Sequence, residues 1–499
     1  MNTKPEKERR KPKIYGAFNF RPLVLAAIGF GLGIFAMALE SIVFLGAFIM
    51  CAILLFTSLS LKNRTVFILS FFILFGMFRA CIIYRVEYPI ESGEHFISGN
   101  VYSIYDNNIV LSDVRIDSKL KDGNILVKNT DMDVDIDDRV ELIATLEQTT
   151  RMEDKTYKYY LLSENYNFVT TECYDGNVIS HTNSLHGIFA GMHNRISDKI
   201  DLVFGRHAPE VKGILLGDSS EIPEDTSGNL RDTGLAHLLA LSGLHVSIIC
   251  GALYFVIKRL NKYLRFGIVA AFLVIYCSVT AFPASLMRAS VMTLFGLAAP
   301  LFTRRNDMLT SCSAAFLLIL LINPYQLFAA GFVLSFSAVL GIALLYRSYK
   351  NILSFALPDF LSKPLSTSIA ATSGTMPAMT AYFHRMPIYS LITNLIFIPV
   401  ASLAVTLAFA ALVISLVCAP IAAPLAFVVN MMFDVIIYSV NVIAKLPFAV
   451  LTTQSLSFVC GLLYCLRMMV MSPYYITRPK YRLRISIGLS VLTFAALLL

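Results

Sequence analysis

Charged side chains are scarce in this sequence of 499 residues. Lysine, arginine, aspartate and glutamate together make up only 15% of it, whereas 56% of the residues are hydrophobic and the mean hydropathy is +0.67. Such a composition lies far outside the range of soluble globular proteins. The scarcity of charge therefore excludes an ordinary soluble chain and predicts a polytopic α-helical membrane protein.

The sequence also lacks a disulfide framework and a nucleotide-binding loop. Eight of the nine cysteines lie in apolar runs, where cysteine usually acts as a small buried hydrophobic residue. Cys173 is the single cysteine of the polar region 85–185, so it has no disulfide partner there. No GxxxxGK[ST] phosphate loop occurs, which excludes an ATP-driven motor of that class within this chain.

The net charge of +8 is divided unevenly along the chain. Residues 85–185 hold 9 lysines and arginines against 19 aspartates and glutamates, a net charge of −10, so the remainder carries +18. Basic charge is therefore concentrated beside the apolar segments. The basic tail at residues 1–21 is typical of the cytoplasmic flank of a first membrane helix, and a nucleic-acid-binding arm is the alternative interpretation.

Three apolar runs follow this tail, each close to the ~20 residues that cross a bilayer. They lie at residues 22–39, 41–61 and 65–84. The basic loops lie on one side of these runs and the acidic turn at Glu40 lies on the other, which predicts a cytoplasmic amino terminus. Three crossings then place residues 85–185 outside the cytoplasm.

Region 85–185 alternates polar and apolar residues, which predicts β-strands and a small extracytoplasmic β-barrel inserted after the third transmembrane helix. Asp106-Asn107-Asn108 and Asp122-Gly123 predict hairpin turns between the strands. The tyrosines of this region are suited to stack on the bases of a single-stranded nucleic acid. Its net charge of −10, however, repels phosphate.

Four aspartates alternate along one predicted strand: Asp131, Asp133, Asp135 and Asp137. Their spacing superficially resembles a calcium-binding loop, but the glycine and the distal glutamate of such a loop are missing. A solvated strand face is one interpretation. A weak divalent-cation site at Asp131, Asp133 and Asp135 is the other, and a cation there would offset the repulsion of phosphate. We predict no other metal site.

Residues 186–232 predict an amphipathic helix and a polar linker. Apolar residues recur at steps of three and four from Ile188 to Val203, and charged residues occupy the opposite face. Such a helix is expected to lie on the membrane surface. The polar turn at Asp218 and the segment that contains Arg231 then lead into the next apolar region, so we predict that they form its entrance.

The segment LAHLLALSGLHVSII at residues 235–249 is apolar enough for a bilayer, yet it carries His237, Ser242, Gly243 and His245. Polar groups at membrane depth face a wet cavity or a partner, so they mark functional sites. His237 and His245 are eight residues apart and would share one face of a continuous helix. Gly243, beside Ser242, marks a point where the helix can open.

Three interpretations of Ser242 and His245 stay open. They line a polar pathway, or they form a hydrogen bond that holds two helices together. A catalytic Ser/His pair is the third interpretation, although no recognisable motif supplies the further member and the oxyanion hole. Arg288 has two interpretations as well. It either extends to the membrane interface or faces a cavity as a partner for phosphate.

Several sequence blocks occur in the order found in the ComEC-type competence proteins, the channels that internalise transforming DNA, and the chain resembles this family. The blocks are KGILLGDSSEIPED, HLLALSGLHVSII and FPASLMRASVM, within a similarity from about Lys212 to about Val413 and a looser one from Val101 to Cys173. The resemblance implies an OB fold for the barrel. It also adds Asn323, Ser335 and His384 to the predicted lining.

The predicted organisation has five parts. They are a basic cytoplasmic tail (1–21), three transmembrane helices (22–84), an extracytoplasmic OB-like domain (85–185), an amphipathic interfacial helix with a linker (186–232) and a multi-helix transmembrane channel domain (233–499). The resemblance implies a plasma-membrane channel for single-stranded DNA. A membrane serine hydrolase and a transporter of another anionic polymer or of a lipid are the alternatives.

Energy considerations predict partners for such a channel. An inside-negative membrane potential opposes the entry of an anion by about 2.3 kcal/mol per charge per 100 mV. We therefore expect a cytoplasmic ATPase that pulls the strand, an outer DNA receptor that delivers it, surrounding membrane lipids, and a homo-oligomer as a further possibility. Many relatives end in a metallo-β-lactamase-like domain, but no HxHxDH signature occurs here. We expect no enzymatic activity and no cofactor.

Overall fold

The structure is a computed structural model, in which a β-barrel follows three helices and precedes a larger helix bundle. It describes residues 21–37, 41–60, 63–84, 93–105, 108–117, 119–120, 123–130, 132, 134–181, 184–239, 241–302, 307–452, 458–472, 484–486, 488–489 and 492. Seven helical segments within these residues are long and apolar enough to cross a membrane. The chain is therefore a polytopic helical membrane protein, as its composition predicts.

The helices are numbered in chain order. They are α1 (Pro22–Met37), α2 (Ser41–Ser60), α3 (Arg64–Tyr84), α4 (Lys155–Ser163), α5 (Leu185–Phe204), α6 (Ala208–Leu215), α7 (Glu224–Asp232), α8 (Ala236–Leu239), α9 (Gly243–Val256), α10 (Lys262–Val279), α11 (Ala284–Ala298), α12 (Met308–Ile322), α13 (Ala330–Leu353), α14 (Asp359–Phe383), α15 (Ser390–Ser415), α16 (Ala419–Ala444) and α17 (Phe458–Met471). The seven candidate spans are α3, α8 joined to α9, α10, α11 with the short turn after it, α13, α15 and α16.

Five strands close into the predicted barrel. The strands of the structure are β1 (Gly93–Tyr105), β2 (Asn108–Ile116), β3 (Lys119–Leu120), β4 (Asn124–Val127), β5 (Asp138–Gln148), β6 (Tyr166–His181), β7 (Arg385–Pro387) and β8 (Val450–Thr452). The barrel order is β1-β2-β4-β6-β5, and β5 pairs again with β1. Only β4 and β6 run parallel. This closed Greek-key arrangement is OB-like, and apolar side chains of all five strands fill its interior.

One of the two predicted hairpins is confirmed and the other is wrong. Tyr105 pairs with Asn108 across the link between β1 and β2, as the first turn motif predicts. Gly123, with a φ of 101°, instead joins β3 to β4, and both of these strands pair with β2. Strands β3 and β4 therefore run in the same direction along one edge of β2, so the chain does not reverse between them; Asp122 itself lies outside the described residues.

The barrel is tied to the first turn of α5. The carboxylate of Asp137 accepts hydrogen bonds from the backbone N–H and the hydroxyl of Ser184, at 2.9 and 2.7 Å. His186 stacks on Tyr102 and lies 2.6 Å from the carbonyl oxygen of that residue. These contacts fix the direction in which α5 leaves the barrel. We call the end of the helix bundle that lies nearest the barrel the barrel-facing end.

Helix α5 enters the bundle instead of lying flat on its surface. Its His193 lies 3.0 Å from the carbonyl oxygen of Val279, at the end of α10, whereas Phe204 accepts a hydrogen bond from Asn430 of α16. From His193 to Phe204 the helix descends about 16 Å at 1.5 Å per residue. The amphipathic pattern predicts the helix but not this position, because the apolar face packs against small side chains of α15 and α16.

Helix α6 returns towards the barrel-facing end. The carbonyl oxygen of Leu215, its last residue, accepts a hydrogen bond from Tyr276, one turn before the end of α10. The segment from α5 to α6 is therefore a re-entrant hairpin, with its tip at Gly205–His207 among the helices. Lys212, which is buried, is held by Asp201 and Glu221 at 2.9 and 2.7 Å.

The predicted helix break at Gly243 is present. Helix α8 ends at Leu239 and α9 begins at Gly243, with Ser242 in an extended conformation. The backbone N–H of Ser242 donates to His245 Nδ1 at 3.3 Å, which caps the start of α9. Because the helix is broken, the premise that one continuous helix carries His237 and His245 does not hold; His245 is buried and His237 is exposed.

Two further contacts brace the bundle. Gly341 of α13 and Gly374 of α14 let these helices touch, because a Cβ on Gly341 would lie 2.4 Å from the carbonyl oxygen of Ala370. Near the barrel-facing end, β7 pairs antiparallel with β8 and joins the start of α15 to the exit of α16. We call this two-stranded pair the β7–β8 clasp.

Candidate functional site

Arg288 lies at the centre of the candidate site. It belongs to the second turn of α11, and only 4% of it is exposed. Within the described part of the chain, its Nε atom has no hydrogen-bond partner. A guanidinium group buried among apolar helices is costly unless it has a polar partner, so its position marks a site for an anion.

The start of α9 and the first turns of α13 converge on this arginine. A Cβ placed on Gly243 would lie 3.7 Å from Cβ of Ala289, the neighbour of Arg288. On the other side, an Arg288 nitrogen lies 3.9 Å from the Cβ position of Gly331. Ser335 is four residues after Gly331, on the same face of α13, and is half-buried. The amino-terminal end of α9 attracts anions.

Asn323 connects the helix bundle to the barrel. Its side-chain amide donates to the carbonyl oxygens of Leu162 and Ser163 at 3.1 and 3.0 Å, and Gln326 donates to Ser163 at 2.8 Å. These carbonyl groups belong to the last turn of α4, where a helix leaves acceptors without their usual donors, although Leu162 also accepts from the backbone N–H of Asn165. The Asn323 amide is therefore engaged in docking the barrel, a role that the sequence did not predict.

The docked helix end brings Glu164 towards Arg288. Glu164 follows the last residue of α4, and its carboxylate interacts electrostatically with the Arg288 guanidinium. Although water reaches part of the residue, burial among protein atoms raises the pKa of the Glu164 carboxyl above its ordinary value, and the charge of Arg288 opposes that rise. An acid of the barrel thus faces the anion site of the bundle.

His245 lines a small closed cavity. Its side chain is 1% exposed, and the cavity, of about 20 Å³, lies between it and Glu210 of α6. Apolar residues of α6, α7, α8, α15 and α16 complete the lining. This volume suits about one water molecule. The cavity beside His245 is therefore too small for a nucleotide.

The open side of α9 lies elsewhere. Gly243, Ser247 and Gly251 recur every four residues and are exposed, and no atom of the described residues lies within 4 Å of a Cβ placed on Gly251. The Ser247 hydroxyl donates to the Gly243 carbonyl oxygen at 2.6 Å. This stripe, together with the extended Ser242, presents backbone and hydroxyl groups instead of large apolar side chains.

A second polar cluster occupies the barrel-facing end. Arg385 binds Asp232 at 3.2 Å, and the neighbouring His384 ends α14 in a left-handed conformation with a φ of 53°. His384, Arg231 and His237 are all exposed. The hydroxyl of Thr393 donates to the Thr233 carbonyl oxygen at 2.8 Å, which holds the end of α7 against α15.

The remaining predicted residues are placed as follows. Asp218 is half-buried and accepts hydrogen bonds from the backbone and hydroxyl of Ser220, at 3.1 and 2.7 Å, so it forms a local turn. Asp135 is exposed and Asp131 and Asp133 lie outside the described residues. Within the part of the chain that the structure describes, no group of three or more histidine, cysteine, aspartate or glutamate side chains is arranged to hold a metal.

Sequence reasoning missed Glu164, Gln326 and Asp434. Gln326 donates to the carbonyl oxygen of Ser163, the neighbour of Glu164, across 163 residues of sequence, so no local pattern reports this contact. The sequence does contain a signal for Asp434. It is an acidic residue within an apolar run of 26 residues that forms one helix, and such residues mark functional sites in membrane helices.

A family model described as "Competence protein" matches residues 214–498, which is more than half of the chain. ComE operon protein 3 of Bacillus subtilis (strain 168) is 29% identical over 191 residues, covering 38% of this chain and 24% of that protein. An uncharacterized protein of Aquifex aeolicus (strain VF5) is 28% identical over 182 residues, 36% of this chain and 41% of that protein.

The uncharacterized protein YcaI of Escherichia coli (strain K12) is 27% identical over 224 residues, 41% of this chain and 29% of that protein. The matched regions therefore span between a quarter and two fifths of these relatives. No solved structure matches the chain.

Proposed function

Because this chain belongs to the competence protein family, we propose that it is a membrane channel that passes single-stranded DNA into the cytoplasm. The name of the Bacillus subtilis relative, ComE operon protein 3, agrees with a role in competence DNA uptake. The chain covers only part of its relatives, so the transported molecule and the partners belong to this proposal.

The observation that carries the proposal is the position of Arg288. Arg288 supplies a full positive charge that is buried, and the residue after it, Ala289, packs against the amino-terminal end of α9, which carries a partial positive charge. Interrupted helices whose amino-terminal ends point at anionic groups are a recurring solution in membrane transporters. A phosphate of the DNA backbone is an anion suited to both groups.

The open stripe of α9 supports a route beside these groups. A polyanion needs water or polar groups along its way through a membrane, because hydrocarbon cannot compensate its charge. Gly243, Ser247 and Gly251 offer such groups without binding phosphate tightly, which would stall the strand. The closed cavity at His245 indicates that the bundle has to rearrange there before a strand passes.

We infer that the barrel lies outside the cytoplasm, because the basic loops flank the opposite side of the first three helices. In that orientation an outer DNA receptor delivers the strand near α4 and Glu164.

The membrane potential opposes entry by about 2.3 kcal/mol per phosphate per 100 mV, so a cytoplasmic ATPase has to pull the strand inward. Lipids surround the bundle, and a second copy of the chain is a further partner to test.

Two alternatives use the same residues. A serine hydrolase would require Ser242 to be activated by His245, but His245 Nδ1 already accepts the Ser242 backbone N–H. A carrier of another anionic polymer or of a lipid would use the Arg288 site in the same way. Comparing DNA with such polymers as cargo separates this alternative from the main proposal.

The decisive experiment measures the uptake of labelled DNA in a strain that lacks the gene. Complementation with Arg288→Ala is expected to reduce uptake at least tenfold, and Arg288→Lys is expected to restore part of it. Arg265→Ala is the matched control, because Arg265 is also an arginine of the bundle but is only half-buried and donates to Tyr254. Normal uptake in the deletion strain would reject the DNA assignment.

A further inference from the structure

A charged pair lies at the middle of the helix bundle. Arg206, at the tip of the re-entrant hairpin, binds one carboxylate oxygen of Asp434, and His207 lies 3.0 Å from the other oxygen. Both partners of the pair are open: 65% of the Arg206 side chain and 42% of the Asp434 side chain are exposed. The pair is therefore neither a core salt bridge nor part of the Arg288 site.

The depth of this pair follows from α16. Asp434 is 15 residues after Ala419 and 10 residues before Ala444, the two ends of the helix. At 1.5 Å per residue these distances are about 22 and 15 Å, so the carboxylate lies near the middle of a span. Open charges at such a depth are not stable against lipid, so they face water or another protein surface.

We propose that Arg206 and Asp434 line a water-filled vestibule at mid-membrane, where Arg206 contacts the backbone phosphates of the moving strand. This deepens the proposed function and rests on it. In the absence of a strand Arg206 binds the Asp434 carboxylate. It exchanges this carboxylate for a phosphate of the strand, so one oxyanion replaces another at the guanidinium group. Such an exchange binds each phosphate only briefly, which lets the strand move on.

The surroundings of Asp434 allow Arg206 to leave. When Arg206 turns to a phosphate, His207 still holds the second oxygen of Asp434. The other ring nitrogen of His207 lies 3.4 Å from a carboxylate oxygen of Glu210, so His207 stands between the two acids. The hairpin tip is also free to adjust, because no atom of the described residues lies within 4 Å of a Cβ placed on Gly205.

Water access is tested with single cysteine substitutions and a membrane-impermeant thiol reagent, applied to each side of membrane vesicles. Arg206→Cys and Asp434→Cys are expected to react at least tenfold faster than Val435→Cys, with the native cysteines giving the background. Val435 is the matched control, because it is the next residue of α16 and is 57% exposed, but it points about 100° away around the helix. Equal rates at Asp434 and Val435, or disulfide-linked dimers in place of labelling, would overturn the vestibule.

The phosphate role is tested by DNA uptake at matched membrane abundance. Arg206→Gln is expected to reduce uptake about tenfold and Arg206→Lys to restore most of it, which also shows that the hairpin folds. Asp434→Asn is expected to slow uptake, because Arg206 then holds each phosphate longer. Uptake at the normal level in Arg206→Gln overturns the phosphate role. Thiol labelling does not require DNA. It therefore tests whether the vestibule is filled with water even if the proposed transport of DNA is wrong.

Discussion

The side-chain nitrogen of Asn323 lies 3.0 Å from the carbonyl oxygen of Ser163, although 160 residues separate the two in sequence. This contact joins the membrane bundle to the last turn of α4 in the barrel. Tyr159 adds a ring contact to Phe328, with centroids 4.5 Å apart. The barrel is therefore fixed above the Arg288 site, and we expect the function of the bundle to depend on that attachment.

Removing the amide should loosen the barrel. Asn323→Ala eliminates the two hydrogen bonds to the barrel and a third, which the side-chain oxygen accepts from the backbone N–H of Tyr325; each is worth about 0.5–1.5 kcal/mol. We expect the backbone of α4 to exchange hydrogen faster in the full-length protein, as measured by mass spectrometry, and DNA uptake to fall. Asn351→Ala is the matched control, because Asn351 is exposed at the far end of α13. Unchanged exchange in α4 would contradict the docking role.

The docking of α4 should strengthen as the pH falls. Because burial raises the pKa of the Glu164 carboxyl, its contribution to docking is complete below the ordinary pKa of 4.5 and is lost as the pH rises through the raised value. Hydrogen exchange of α4, corrected for intrinsic rates, should therefore slow as the pH falls from neutral towards the ordinary pKa of 4.5. Glu164→Gln should remove this dependence and Glu153→Gln should keep it. A dependence that persists in Glu164→Gln would assign the effect to another group.

A methyl group at the contact between α13 and α14 should destabilise the bundle. Gly341→Ala places a Cβ 2.4 Å from a backbone oxygen that cannot move away easily, and overpacking of this kind costs about 1–3 kcal/mol. We expect a lower midpoint of thermal unfolding in detergent. Gly267→Ala is the control, because the described residues leave 4 Å of open space there, and it should be neutral or slightly stabilising. Equal midpoints for the two variants would argue against the close contact.

The capping contact separates a structural role of His245 from a catalytic one. A serine-reactive fluorophosphonate should label the wild type no more than Ser242→Ala, with Ser247→Ala as the matched control. His245→Ala leaves the Ser242 N–H without its acceptor, at a cost of about 1–3 kcal/mol, so we expect lower thermal stability and weaker uptake. Labelling of the wild type that disappears in Ser242→Ala would favour the hydrolase.

The sequence predicted those features that depend on local pattern. Apolar runs gave the spans, alternation gave the barrel, and Gly243 beside Ser242 gave the helix break. The sequence did not predict that α5 descends into the bundle, because an amphipathic face packs equally well on lipid or on the small residues of α15 and α16. The sequence also did not predict that Glu164 approaches Arg288, because the tertiary fold brings the two together across a long sequence separation.

The local sequence pattern also gave a wrong expectation about the continuity of the helix that carries His237 and His245. Counting eight residues from His237 to His245 assumes one unbroken helix, and the extended Ser242 removes that premise. Gly331 shows a related limit: a nitrogen of Arg288 lies 3.9 Å from its Cβ position, a contact that no local pattern reports. In both cases the tertiary surroundings decide what a residue does.

The β7–β8 clasp restricts how the bundle can move. The clasp ties the start of α15 to the exit of α16, and the backbone N–H of Ile388 adds a hydrogen bond to Ala449 at 3.1 Å. At their opposite ends the two helices are joined by a short link at residues 416–418, with no strand pairing across it in the described residues. The two helices are therefore connected at both ends. Any widening between them requires their midsections to bend outward, at the level of Asp434.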